Sequence, residues 1–170
     1  MTDTPSLPRA DPPQEAGESQ LTTILALYVI LRLTIILFYT QQGLFNAYTD
    51  YYYYYRTAQL SDQGFYPFIN MWYEYPPLLA YLPQLAYWLT AQILPLGEVG
   101  SLSFQIFVRV LAVLVLIFDT GVLLLVHAIG RLVWGGRKAE WLAWVYAGLS
   151  LPVFWLTFVH QIVPVFFLLL

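Results

Sequence analysis

A chain of 170 residues that is 59% hydrophobic and only 10% charged, with formal charge −3 and no cysteine, excludes several classes at once. Ordinary soluble domains carry roughly 25% charged residues, and here the apolar residues come in blocks long enough to cross a bilayer. Disulfides and thiolate metal sites are excluded by composition, and no basic patch suited to nucleic acid is visible.

The expected fold class is all-α: a polytopic transmembrane helical bundle of about four spans, with a long helical first loop on the extracytoplasmic side. Residues 1–20 form a tail with Pro5, Pro8, Pro12 and Pro13 and most of the acidic excess, Asp3, Asp11, Glu15 and Glu18 against a single Arg9. That composition buries little apolar surface and reads as disordered. It lacks the basic start and cleavage site of a signal peptide. Residues 21–170 form the membrane domain, and Leu21 to Thr40 is its first span.

Arg32 lies near the middle of that span, where a guanidinium must pair, snorkel or face a water-filled cavity. Asp119, deep in a later span, is its natural partner, and pairing would fix how the two helices pack. A direct role of Arg32 with substrate is the alternative.

The first loop, residues 43–76, is the one long polar-containing stretch between apolar ones. No Pro or Gly interrupts Tyr48 to Leu60, so a helix is expected, on which Asp50, Tyr54 and Thr57 share a face by i, i+4, i+7 spacing. The run Tyr51 to Tyr55 suits a membrane interface or a ligand site. Asp50, flanked by rings, is expected to be partly desolvated and shifted toward a general base's working range. Asp62, Gly64 and Pro67 mark a turn. Pro76 and Pro77 set a helix start at Pro77, which puts Glu74 just before it, either capping that helix through its dipole or converging with Asp50 on a single mouth.

The second span is expected from Pro77 to Leu94 and the third from Phe104 to about Ile129. The third has Arg109 near its start, ten residues and about 80° from Asp119 and so unable to pair with it. Gly130 to Lys138, with Arg131 and Arg137, reads as a basic turn. A fourth apolar stretch opens at Trp141 and is expected to kink or break at Pro152. Because the chain stops inside an apolar stretch, it is expected to be the amino-terminal part of a longer membrane protein. If every span crosses, the first loop and the basic turn share a side, against the positive-inside rule. Full crossing by the second span, the strength of the basic signal, or the outward placement of the loop must give way.

Asp50 after the first span, the tyrosine-rich helix with Arg56, the Gly64–Pro67 turn, Tyr73-Glu74-Tyr75-Pro76-Pro77-Leu78 and a span with Arg109 and Asp119 together resemble the amino-terminal part of the GT-C glycosyltransferases. These are integral membrane enzymes that use polyprenyl-phosphate-linked sugars, and the similarity is to the bacterial mannosyltransferase-like branch. The resemblance implies a multi-pass protein of the bacterial plasma membrane with its catalytic loop outward. It implies Asp50 as catalytic base, Glu74 at the donor site and Arg56 on the lipid phosphate, with a glycan or lipid acceptor. Relatives carry an acid soon after a glutamine in a later span, whereas His160-Gln161-Ile162-Val163 keeps only the glutamine.

The residue types suit the chemistry. A carboxylate removes the acceptor's proton and a cation steadies the departing phosphate, for which guanidinium is well shaped. Tyr52, Tyr54, Tyr55, Tyr66, Tyr73 and Tyr75 are candidates for sugar contacts. Arg32, Arg109 and Asp119 are assigned to structure. No cofactor is expected, and two carboxylates are too few ligands to argue for a divalent metal. The competing class is a non-enzymatic transporter or assembly subunit, which would gather polar groups near the midplane.

Overall fold

The structure, a computed structural model, describes residues 20–39, 50–157 and 162–170. The expectations for the tail, for residues 40–49 of the first loop and for His160 and Gln161 lie outside the described residues. What is described is helical: α1 (Leu21–Phe38), α2 (Asp50–Leu60), a short 3₁₀ turn (Ser61–Gln63), α3 (Pro77–Ile93), α4 (Leu102–Trp134), α5 (Gly136–Thr157) and α6 (Ile162–Leu169).

Two of these helices, α1 and α4, are long and apolar enough to cross a membrane. The helix α1 buries one stripe, Ile24, Tyr28, Arg32, Ile35 and Ile36, at helical spacing, while Leu27, Ile30, Leu31 and Leu37 remain exposed. A helix apolar on all sides suits a membrane or a large core better than water. The helix α4 opens on Ser101, whose hydroxyl accepts a hydrogen bond from the Phe104 amide, an N-cap of the favoured kind. Its buried stripe runs from Ser103 through Phe107, Leu111, Val115, Asp119 and Leu123 to His127 and Gly130.

The boundaries differ from the sequence reading in two places. The helix α4 does not end at Ile129. It continues through Arg131 and stops at Gly135, which takes the left-handed φ of 88°, so the expected basic turn is a one-residue break with Arg137 and Lys138 already inside α5. Pro152 lies within α5 and Pro83 within α3 without ending either helix, since packing can outweigh the one hydrogen bond a proline removes. The helix α3 does begin at Pro77, and at 17 residues it is at the short end of the range that crosses a bilayer.

The direction of the helices follows from a few contacts. Gln20, at the start of α1, donates its amide to Glu140 Oε1 of α5 at 3.1 Å and approaches Trp144. Further along α1, Arg32 meets Asp119, well before the end of α4. The helices α1 and α4 therefore run antiparallel, and the start of α1 lies at the Gly135 end. At the opposite end α2 packs against the beginning of α4, with Tyr55 edge-on to Phe104 and Phe107 at 5.2 and 5.0 Å. The helix α2 of the first loop and the basic corner therefore sit at opposite ends of α4.

A polar network ties α1, α4 and α5 together at mid-bundle. Arg32 Nε donates to Asp119 Oδ2 at 3.0 Å and its Nη2 to Ser150 Oγ at 2.5 Å. The Tyr146 hydroxyl donates to Asp119 Oδ1 at 2.6 Å, and the guanidinium lies 3.5 Å from the centre of the Tyr28 ring. Arg32 is 1% exposed and Asp119 4%. Breaking one side of such a pair leaves a buried uncompensated charge, which costs about 3–5 kcal/mol. Arg32→Leu alone and Asp119→Leu alone should each destabilise the bundle by that order, and the double variant by much less than their sum. A thermal-unfolding double-mutant cycle measures this, and additive effects would reject the coupling.

Candidate functional site

The site is assembled from two short segments brought against each other by the loop. In α2 the side chains of Tyr51, Tyr54, Tyr55 and Ala58 form the buried face. Tyr55 is the anchor: it is fully buried, its hydroxyl donates to the Gly97 carbonyl at 2.8 Å, and its ring meets Tyr87 at 5.4 Å. The first residue of α2 is Asp50, where the helix dipole favours an acid.

After α2 the chain turns at Gly64, φ 84°, and the side chain of Asn70 holds the turn, accepting from the Tyr66 amide at 2.7 Å and donating to the Gly64 carbonyl at 2.8 Å. Tyr81 of α3 donates to the Pro67 carbonyl and Tyr87 to Asp62, each at 2.7 Å. These bonds fold residues 61–76 back along α3 and bring Trp72 to Tyr75 beside the start of α2.

Between the two segments lies a pocket of about 390 Å³, lined by Asp50, Tyr53, Tyr54 and Thr57 from α2 and by Trp72, Tyr73, Glu74 and Tyr75 from the segment before α3. The shared face of Asp50, Tyr54 and Thr57 read from the sequence is the face that lines it. Glu74 lines it too, and α3 starts without any side-chain cap. Tyr54 meets Tyr75 edge-on at 6.1 Å, and Tyr73 lies tilted against Tyr75 at 5.8 Å.

The phenols are held in their neutral form. Burial, and then the charge of Asp50, raise the pKa of Tyr54 well above its ordinary value. Burial raises that of Tyr73 to about 12, with Tyr75, Glu74 and Asp50 adding to the shift. Tyr75 is raised by burial and by the same two carboxylates. Each therefore remains a hydrogen-bond donor at neutral pH, beside two acceptors-only carboxylates.

Several candidates stand elsewhere. Asp50 and Glu74 are both exposed at the rim, so the expected desolvation of Asp50 by its neighbouring rings is not found: the rings of Tyr51 and Tyr55 turn into the core instead. Tyr66 lies outside the pocket, in the turn. Tyr52 faces Arg56, whose guanidinium is 5.7 Å from its ring. Arg56 itself is on the outer side of α2, 3.0 Å from Glu98 Oε2 and donating to Gln59 at 3.0 Å; six residues from Asp50 is about 120° around a helix. Arg109 donates to the Gln105 carbonyl one turn back in α4. Tyr53 and Trp72 line the pocket without having been singled out from sequence. The i, i+3 relation of Tyr53 to Asp50, and the i, i+2 relation of Trp72 to Glu74 in a non-helical segment, were the available signals. Among the described residues no group of three or more His, Cys, Asp or Glu gathers as a metal site.

Because the folded pKa of Tyr73 is raised from 10.0 to about 12, the stability it contributes is complete below pH 10 and is lost as pH rises through 12. Tyr73→Phe should remove one late step from the tyrosinate absorbance titration. Asp50→Asn with Glu74→Gln should move that step toward the ordinary range, and a titration unchanged in both variants would contradict the electrostatic picture.

Compared with protein-family models, with curated proteins and with solved structures, the chain has no match in any of the three.

Proposed function

We propose that this chain carries the catalytic loop of a membrane glycosyltransferase of the GT-C kind, moving a hexose such as mannose from a polyprenyl-phosphate-linked donor to a glycan or lipid acceptor. The observation that carries this reading is the meeting of Asp50 and Glu74 in one aromatic-walled pocket, reached from the two ends of a single loop. In this reading Asp50 takes the proton of the acceptor hydroxyl as that oxygen attacks the anomeric carbon. The bond from that carbon to the phosphate oxygen breaks, and the phosphate leaves with the electron pair. Attack on the face opposite the leaving group inverts the anomeric centre. A phosphate leaving group is stable as an anion, so no general acid is required.

Glu74 accepts hydrogen bonds from sugar hydroxyls, and the neutral phenols of Tyr54, Tyr73 and Tyr75 donate to sugar oxygens. Trp72 and Tyr53, both largely exposed, offer ring faces to the sugar's C–H groups. For Arg56 to meet the donor phosphate it must exchange Glu98 for it; a phosphate accepts the guanidinium fork at least as well as a carboxylate does. The placement is a multi-pass protein of the bacterial plasma membrane with the loop outward. With α2 and the basic corner at opposite ends of α4, an outward loop and an inward basic corner satisfy the positive-inside rule together.

A transporter or assembly subunit is favoured less. Such a protein gathers accessible polar groups at the midplane, whereas Arg32, Asp119, Tyr146 and Ser150 are bonded to one another and the acids that line the pocket are in the loop. Membranes containing the protein, given labelled sugars on a panel of polyprenyl phosphates, should show transfer by the wild type. Asp50→Asn should lower turnover by about 10²–10⁴-fold, the usual share of a general base, with insertion intact. Full turnover in that variant would sink the assignment of the base, and no transfer from any donor by inserted wild type would return the weight to the transporter class.

A further inference from the structure

At the end of the bundle away from the pocket, the break between α4 and α5 carries a second set of residues that the proposed reaction does not use. Arg131, Arg137 and Lys138 are all exposed within eight residues. Among the described residues the ion pairs are Arg32–Asp119 and Arg56–Glu98, so none of the three cations is matched by a carboxylate. Glu140, the nearest acid in sequence, accepts from the Gln20 amide, and no acidic side chain lies in the first turn of α5. Interleaved with the cations are exposed apolar side chains: Leu132 is 87% exposed, Trp134 55% and Trp141 65%.

The length of α4 says where this corner lies. Its 33 residues are about 50 Å long at 1.5 Å per residue, against a hydrocarbon layer of about 30 Å, so the helix must emerge. Asp119 is one residue from the middle of α4. With that middle at the bilayer centre, Arg131 is about 20 Å out, beyond the hydrocarbon edge at about 15 Å and inside the headgroup layer, which ends near 20–22 Å. Tryptophan favours that layer, with its ring in the apolar edge and its N–H toward water, and unmatched cations there meet lipid phosphates.

We propose that the α4–α5 corner is a docking surface for anionic phospholipid headgroups, with Arg131, Arg137 and Lys138 on the phosphates and the exposed ring of Trp141 beside them. The occupant is a lipid rather than free phosphate because the cations are set among exposed apolar side chains on a helix that reaches this depth. The inference is independent of the pocket chemistry, so failure of either leaves the other standing.

The full chain in neutral detergent, titrated with phosphatidylglycerol or with phosphatidylcholine and read by native mass spectrometry and thermal unfolding, tests it. Three cations at about 1 kcal/mol each correspond to a preference of roughly 100-fold for the anionic lipid. Each of Arg131→Gln, Arg137→Gln and Lys138→Gln should reduce it about fivefold, with unfolding in phosphatidylcholine alone unchanged. Replacing both arginines by lysine should retain most of it, and rising salt should weaken it. An equal affinity for the two lipids would overturn the proposal, as would a preference that survives the triple glutamine variant. Stabilisation by inorganic phosphate alone equal to that by the anionic lipid would also overturn it, as adventitious anion binding.

Discussion

A guanidinium 1% exposed among apolar helices is tolerable only if its charge and its donors are satisfied within the protein. Asp119 supplies the charge, Ser150 a second acceptor and Tyr28 a ring face, and these come from α4, α5 and α1 itself. Any slide of one helix along another would strand Arg32 or Asp119 in an apolar layer, so the network sets the register of three helices at once. The two ends of the bundle inherit their positions from that register. One end receives the first loop and the other the Gly135 break.

The loop has its own anchor, of a different kind. Tyr55 buries its ring among Tyr87, Phe104 and Phe107 and spends its hydroxyl on the Gly97 carbonyl. With that side of α2 turned inward, Asp50, Tyr53 and Thr57 are left on the side that meets residues 72–75. The arrangement separates two uses of one aromatic run. Some tyrosines hold the helix to the bundle, and others, kept protonated by burial and by nearby carboxylates, face the pocket. A site that combines acceptors-only carboxylates with neutral phenol donors is suited to a polyhydroxyl ligand, which both donates and accepts.

Much of this was legible before any coordinates. The block composition, the start of α3 at Pro77, a helix expected from Tyr48 to Leu60 and described from Asp50 on, and the face shared by Asp50, Tyr54 and Thr57 follow from local rules of propensity and periodicity. The partnership of Arg32 with Asp119 followed from scarcity, since each is a lone charge in an apolar span with few possible partners. Other readings failed where a local rule met a tertiary one. Pro152 was expected to kink or break its helix, and α5 runs through it unbroken. Arg56, given a role only by the resemblance, stands six residues and about 120° around α2 from Asp50, beside Glu98. Asp50 was expected among rings that turned out to face the core.

What the sequence determined by itself is the class of the chain and the chemistry at hand: helices apolar enough for a membrane, a carboxylate at each end of one loop, and cations collected at Arg131 to Lys138. Those are properties of composition and of spacings shorter than two helical turns. The tertiary structure decided which residues are neighbours across the chain: that Tyr53 and Trp72 join the pocket while Arg56 and Tyr66 stand outside it, and that α2 and the basic corner occupy opposite ends of α4. The reason is that facing across more than a turn or two depends on which helices pack together, and that packing is settled by burial and by satisfaction of the few buried polar groups, neither of which is a local property of the chain.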